Sequence, residues 1–105
     1  MGGDTGGVPG APADYMSRLR DWLERHKRYP RRAQNRREEG VATLFLVIDR
    51  DGRVLDSRVK RSSGYKSLDR ATMSMVKRAE PLPKMPPEMQ RNRIAIEVPI
   101  QFALR

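Results

Sequence analysis

The chain has 105 residues, of which only 37% are hydrophobic, with a negative mean hydropathy and a formal net charge of +9. That leaves room for one domain with one modest core and excludes a second. No run approaches the ~20 apolar residues of a membrane helix, so if the parent protein is membrane-anchored its anchor is expected to lie outside this stretch. The absence of cysteine excludes a disulfide framework and a zinc-thiolate site.

Arginine supplies 17 of the 22 basic residues. A basic face concentrates polyanions, and a nucleic-acid-binding domain is the alternative this charge raises. Such a domain interleaves its cations with aromatic rings. Here Tyr15, Trp22, Tyr29, Phe45, Tyr65 and Phe102 are mostly better assigned to a core or a motif, and nucleic acid is not the expected partner.

Residues 1–13 hold five glycines and two prolines with almost nothing to bury, the composition of a linker or a cloning remnant. The domain is expected to occupy residues 14–105. Asp14 is a candidate N-cap, and Tyr15, Leu19, Trp22, Leu23 and His26 recur at helical spacing, predicting a first helix from Tyr15 to Arg28. Pro30 biases Tyr29 away from helical geometry. Arg31 to Glu39 reads as one or two further helical turns closed by Gly40 as a C-cap.

Val41 to Ile48 is almost wholly apolar and is followed by Asp51-Gly52, a strand and then a hairpin turn. Arg53 to Arg61 returns as a second strand, with Leu55 and Val59 inward against Asp56, Arg58 and Lys60. Ser62-Ser63-Gly64 ends it. Ser67 is a candidate cap for a helix whose buried stripe is Leu68, Ala71, Thr72, Met75, Val76 and Ala79. A proline-rich loop from Pro81 to Asn92 follows. The last strand carries the clearest period: Ile94, Ile96, Val98, Ile100, Phe102 and Leu104 on one side, Ala95, Glu97, Pro99, Gln101 and Ala103 on the other. The order predicts an α+β fold, a three-stranded antiparallel sheet with two main helices packed on one face.

Pro99 lacks the N–H a ladder needs, which confines its strand to a sheet edge with the missing donor outward. Residues of one parity turn both backbone groups to the same side. The free edge is therefore expected to present Ala95, Glu97, Gln101 and Ala103, where an extended partner chain could add through main-chain bonds. Protection of an edge against aggregation is the plainer reading of the same proline. Phe45, opposite in parity to Leu44 and Leu46, is expected to be ordinarily buried.

The chain carries no recognisable catalytic or metal-binding signature. His26 lies between Arg25 and Lys27 without a carboxylate cluster, Ser62-Ser63-Gly64 has no nearby base, and Asp49, Asp51 and Asp56 belong to a turn. Neither a cofactor nor an enzymatic activity is expected.

Tyr29-Pro30, Ala33, Glu38-Glu39-Gly40-Val41, Asp51-Gly52-Arg53-Val54, Ser62-Ser63-Gly64 with Leu68-Asp69-Arg70-Ala71, and Val98-Pro99-Ile100-Gln101-Phe102 stand in an order and spacing that resembles the TonB C-terminal domain family. The resemblance covers about Tyr29 to Phe102. It implies the periplasmic part of a protein anchored in the inner membrane of a Gram-negative bacterium and energised there by an ExbB/ExbD-type complex. The partner it implies is the short TonB box, with the plug, of an outer-membrane transporter for siderophores, haem or vitamin B12. The box would lie beside the last strand, at Ala95, Glu97, Pro99, Gln101 and Ala103. The family also uses its Tyr-Pro segment, which here corresponds to His26, Lys27, Arg28, Tyr29, Pro30 and Arg32.

The family's best-known member has an uncharged Gln-Pro-Gln stretch where this chain has His26-Lys27-Arg28, a departure that suits a dedicated paralogue such as one serving a haem receptor. Ser57 stands where the family is usually more apolar, so the second strand is expected to be irregular. Isolated domains of the family can exchange strands into homodimers. A TonB-like module of another cell-envelope complex is the remaining alternative.

Overall fold

The computed structural model describes residues 13–104. The stretch expected to be a linker lies, up to residue 12, outside the described residues, and Ala13 opens the first helix. The elements in chain order are α1 (Ala13–Arg25), α2 (Arg31–Asn35), β1 (Gly40–Asp49), β2 (Val54–Arg61), α3 (Lys66–Ala79) and β3 (Arg93–Phe102). The strands form one antiparallel sheet in the order β2-β1-β3.

Strand alternation sorts the side chains. Ala42, Leu44, Leu46 and Ile48 of β1 are fully buried, beside Ile94, Ile96, Val98, Ile100 and Phe102 of β3. Above them α1 sets down Tyr15, Met16, Leu19 and Leu23, and α3 sets down Leu68, Ala71, Thr72, Met75, Val76 and Ala79. Apart from Ala42 and Thr72, these residues form one core cluster, in which each large aliphatic or aromatic side chain contributes about 1.5–3 kcal/mol by leaving water. The buried Thr72 hydroxyl donates to the Leu68 carbonyl at 2.9 Å, so the core holds its polar atom without a penalty.

Helix ends differ from the sequence-based expectation. α1 stops at Arg25, three residues early, and closes with His26 N–H to Leu23 O and Lys27 N–H to Glu24 O. Asp14 lies in its first turn, not at its cap. α2 ends at Asn35, where Arg37 takes φ 55° and donates to Gln34 O while Glu38 donates to Ala33 O, a Schellman-type stop built on an arginine. Gly40 is therefore no cap. It opens β1, and a Cβ there would stand 2.4 Å from the Ser63 carbonyl oxygen. Close passage of the β2–α3 turn is what requires glycine at this position.

Ser67 does not cap α3 either. Tyr65 occupies the N-cap without a side-chain bond, and the Ser67 hydroxyl reaches Glu38 at 2.6 Å. The start of α3 is held by Asp69, whose carboxylate takes bonds from the Ser63 N–H and from the hydroxyls of Ser62 and Ser63. Burial opposes ionisation of Asp69, but those three donors outweigh it and its pKa lies below the ordinary value.

β2 is irregular, as the polar Ser57 led one to expect. Its register against β1 slips at Leu55 and again at Lys60, so Val54, Ser57 and Val59 stand opposite Ile48, Leu46 and Leu44. Leu55 was expected to point inward, but the bulge turns it out and leaves it 52% exposed. Phe45 also departs from expectation. It faces away from both helices, only half-covered, with the Arg58 guanidinium 4.5 Å above its ring.

The proline-rich loop is packed rather than loose. Leu82, Met85 and Met89 are buried, and the Arg50 guanidinium donates to the carbonyls of Pro86, Met89 and Arg91. The β1–β2 hairpin meets this loop backbone to backbone, with Leu82 N–H on Gly52 O at 2.8 Å and Met85 N–H on Arg50 O at 3.0 Å. Gly52, at φ 85°, leaves no space for a side chain, since a Cβ would lie 1.9 Å from the Leu82 oxygen. From the other side Tyr15 donates its hydroxyl to Pro83 O at 3.0 Å.

Two outcomes follow from this packing. Gly40→Ala is expected to lower stability by about 2 kcal/mol, because the blocking atom is backbone and cannot step aside, and urea unfolding measures it. Burial pushes the Tyr15 phenol from 10.0 up to about 12. The unfolded phenol ionises first as pH rises, so stability present below pH 10 is lost between 10 and 12, by up to about 3 kcal/mol. Tyr15→Phe is expected to cost about 1 kcal/mol at neutral pH and to flatten this alkaline fall, read from melting curves at each pH.

Candidate functional site

β3 has one neighbour. It pairs with β1 along its whole length, from Gly40↔Phe102 through Thr43↔Pro99 to Asp49↔Arg93, and among the described residues its other flank carries no strand. Pro99 has no donor to give β1, so its nitrogen suits the open side. Gln101 has the same parity, and its carbonyl takes the Lys27 ammonium at 2.6 Å instead of a β1 amide. Both residues agree on which parity looks outward, and Ala95 and Glu97 share it. Ala103 lies one residue past the strand end.

The side chains of Ala95, Pro99, Gln101 and Ala103 are exposed, on the sheet face away from the helices. Glu97 is partly covered because it forms an ion pair with Lys60 of β2 across the width of the sheet. That pair and the Arg58–Phe45 stack cover the middle of the open face.

The segment His26 to Arg32 is fastened at both ends. Trp22 donates its indole N–H to Ala79 O at 2.6 Å, and Arg78 donates to His26 O at 2.6 Å, tying the end of α1 to the end of α3. The His26 ring packs 5.0 Å from that of Trp22, and its Nδ1 lies 2.8 Å from Trp22 O. Tyr29 then meets Phe102 edge to face at 5.3 Å and donates its hydroxyl to Glu38 O. Burial, then Glu39 and Glu38, raise the Tyr29 pKa above its ordinary value. Pro30, extended at φ −60° and ψ 134°, turns the chain into α2 as its N-cap.

The residues singled out from sequence are thus only partly brought together. Lys27 and Tyr29 reach the end of β3 at Gln101 and Phe102, and a hollow of about 430 Å³ lies there, lined by Glu24, Lys27, Gln101, Ala103 and Leu104. His26 is bound to α3 rather than to β3. Arg28 and Arg32 are exposed, and Ala95 lies at the far end of the strand, opposite Val47. Sequence reasoning missed Glu24, Trp22 and Arg78. Only Trp22 left a trace, its spacing of four from His26. Among the described residues no group of three or more histidine, cysteine or acidic side chains is placed to hold a metal, and no helix is long and apolar enough to cross a membrane.

A helix-covered three-stranded sheet with its last strand at an open edge defines a class of small α+β modules. Residues 25–104 match the family described as Gram-negative bacterial TonB protein C-terminal, and the chain belongs to that family. It is 36% identical over 90 residues to Protein TonB of Pasteurella multocida, covering 86% of this chain and 34% of that protein. The chain thus spans about a third of that relative. Its fold is similar to the solution structure of the Helicobacter pylori TonB C-terminal domain, with a TM-score of 0.79 at 27% identity, covering 92% of this chain and 87% of that one. The structure of the HasB C-terminal domain is similar at TM-score 0.60 and 37% identity, covering 91% of this chain and 75% of that one.

The contacts of Tyr29 predict separable effects. Tyr29→Phe removes the hydroxyl from Glu38 O and keeps the ring on Phe102. It is expected to cost about 1 kcal/mol in thermal unfolding and to leave the β3 amide spectrum in place.

Proposed function

We propose that this domain grips the TonB box of an outer-membrane transporter by adding the box as a fourth strand beside β3. The carrying observation is the open flank of β3, where Pro99 and the Gln101 carbonyl agree on the outward parity. Main-chain pairing there tolerates varied side chains, while the neighbouring segment of Tyr29 and Pro30, with Arg28 and Arg32 exposed beside it, supplies contacts to box and plug. A strand pulled along its length loads several hydrogen bonds together, each worth about 1 kcal/mol net, which suits a module that transmits tension.

In this reading the whole protein is anchored in the inner membrane, is driven by an ExbB/ExbD-type complex, and reaches across the periplasm to transporters for siderophores, haem or vitamin B12. The basic His26-Lys27-Arg28 segment favours a dedicated role at one receptor.

The test is a titration of isotope-labelled domain with ten-residue peptides copied from the TonB boxes of transporters of the same bacterium. The outward amides of Ala95 and Glu97 are expected to move first, with Tyr29 following. Glu97→Pro removes an outward donor and no ladder bond, so it is expected to keep the fold and weaken docking about tenfold. Peptides that leave every β3 amide unmoved would overturn the proposal.

A further inference from the structure

The open edge is not equally open along its length. Its first half offers the N–H and C=O of both Ala95 and Glu97. Its second half lacks the Pro99 donor, and the Gln101 acceptor is already taken by Lys27. That ammonium is held from three sides. It lies 2.9 Å from a Glu24 carboxylate oxygen, donates to Gln101 O at 2.6 Å, and stands 5.4 Å from the centroid of the Phe102 ring. The side chain is only 22% exposed, well covered for a lysine at the surface.

We infer that Lys27 is a displaceable latch on the docking edge, and that it sets how far along β3 an added strand pairs. The inference rests on the docking reading above and adds a residue role to it. A strand pairing with Ala95 and Glu97 meets no obstacle, but one that continues past Pro99 must bring a backbone N–H to Gln101 O, and Lys27 has to leave. Glu24, half-exposed beside it, keeps the ammonium paired when it swings away. The same latch competes with any second copy of the domain, and lysine is a residue with which sheet edges are commonly blunted.

Lys27→Met tests this, since it retains an unbranched stem to lie over Phe102 and removes the charge. With the same ten-residue transporter peptides, K27M is expected to bind about tenfold more tightly, the worth of one hydrogen bond to a charged group. Its amide footprint is expected to extend from Ala95 and Glu97 through Gln101 to Ala103. Equal affinity with an unchanged footprint overturns the latch, and weaker binding by K27M overturns it by making Lys27 a contact for the peptide.

One arm needs no peptide. A through-hydrogen-bond coupling between the Lys27 side-chain nitrogen and the Gln101 carbonyl carbon is expected in the free domain, and its absence overturns the inference. Peptides that move no β3 amide in either protein defeat the docking reading and the latch with it. Peptides that dock identically on both defeat the latch alone.

Discussion

Ten consecutive residue pairs join β1 to β3, from Gly40↔Phe102 to Asp49↔Arg93, and the parity of that ladder governs the molecule. Even-numbered residues on both strands go under the helices, and odd-numbered ones face away. The same parity that buries Ile94 to Phe102 also turns the backbones of Ala95, Glu97, Pro99 and Gln101 from β1. Core and edge are two outputs of one register, because a slip by a single residue would move every apolar side chain of β3 to water. Burial of the even set thereby stabilises the exposure of the odd set.

The rest of the chain holds that ladder in position. The Asp49 carboxylate takes the N–H groups of Asp51 and Arg53, each at 2.9 Å, along with the Arg53 side chain, and these bonds hold its pKa below the ordinary value. Arg50 gathers the carbonyls of the segment leading into β3, so the hairpin at one end of β1 also fixes where β3 begins. At the other end Tyr29 packs on Phe102 and Arg78 holds the His26 carbonyl. The approach to β3 is held by side-chain bonds to main-chain oxygens and its far end by a ring contact on Phe102.

Periodicity made β3 and the buried face of α3 legible, because Ile94–Leu104 can alternate in only one way over a single helix layer, whereas the almost wholly apolar Val41–Ile48 gives no face and Phe45 reads as buried. Pro99 made the edge legible, since an imide nitrogen cannot sit mid-sheet. Local signals misled where distant backbone decided the outcome. Gly40 reads as a helix cap until the Ser63 carbonyl is placed against it, and Arg37 carries no sign of a left-handed stop. Leu55 reads as core because alternation cannot reveal a bulge. At the site, the positions of Tyr29 and Lys27 followed from a resemblance. The Lys27 bond to Gln101 spans 74 positions of sequence, and no local pattern encodes it.

The bulges in β2 bear on assembly. A sheet with two straight flanks can stack copy upon copy without end, as fibres do. Here one flank is broken at Leu55 and Lys60, so a molecule that joins a second copy through β3 presents only irregular margins to a third. Growth beyond such a pair would have only bulged strands to extend, which disfavours a filament.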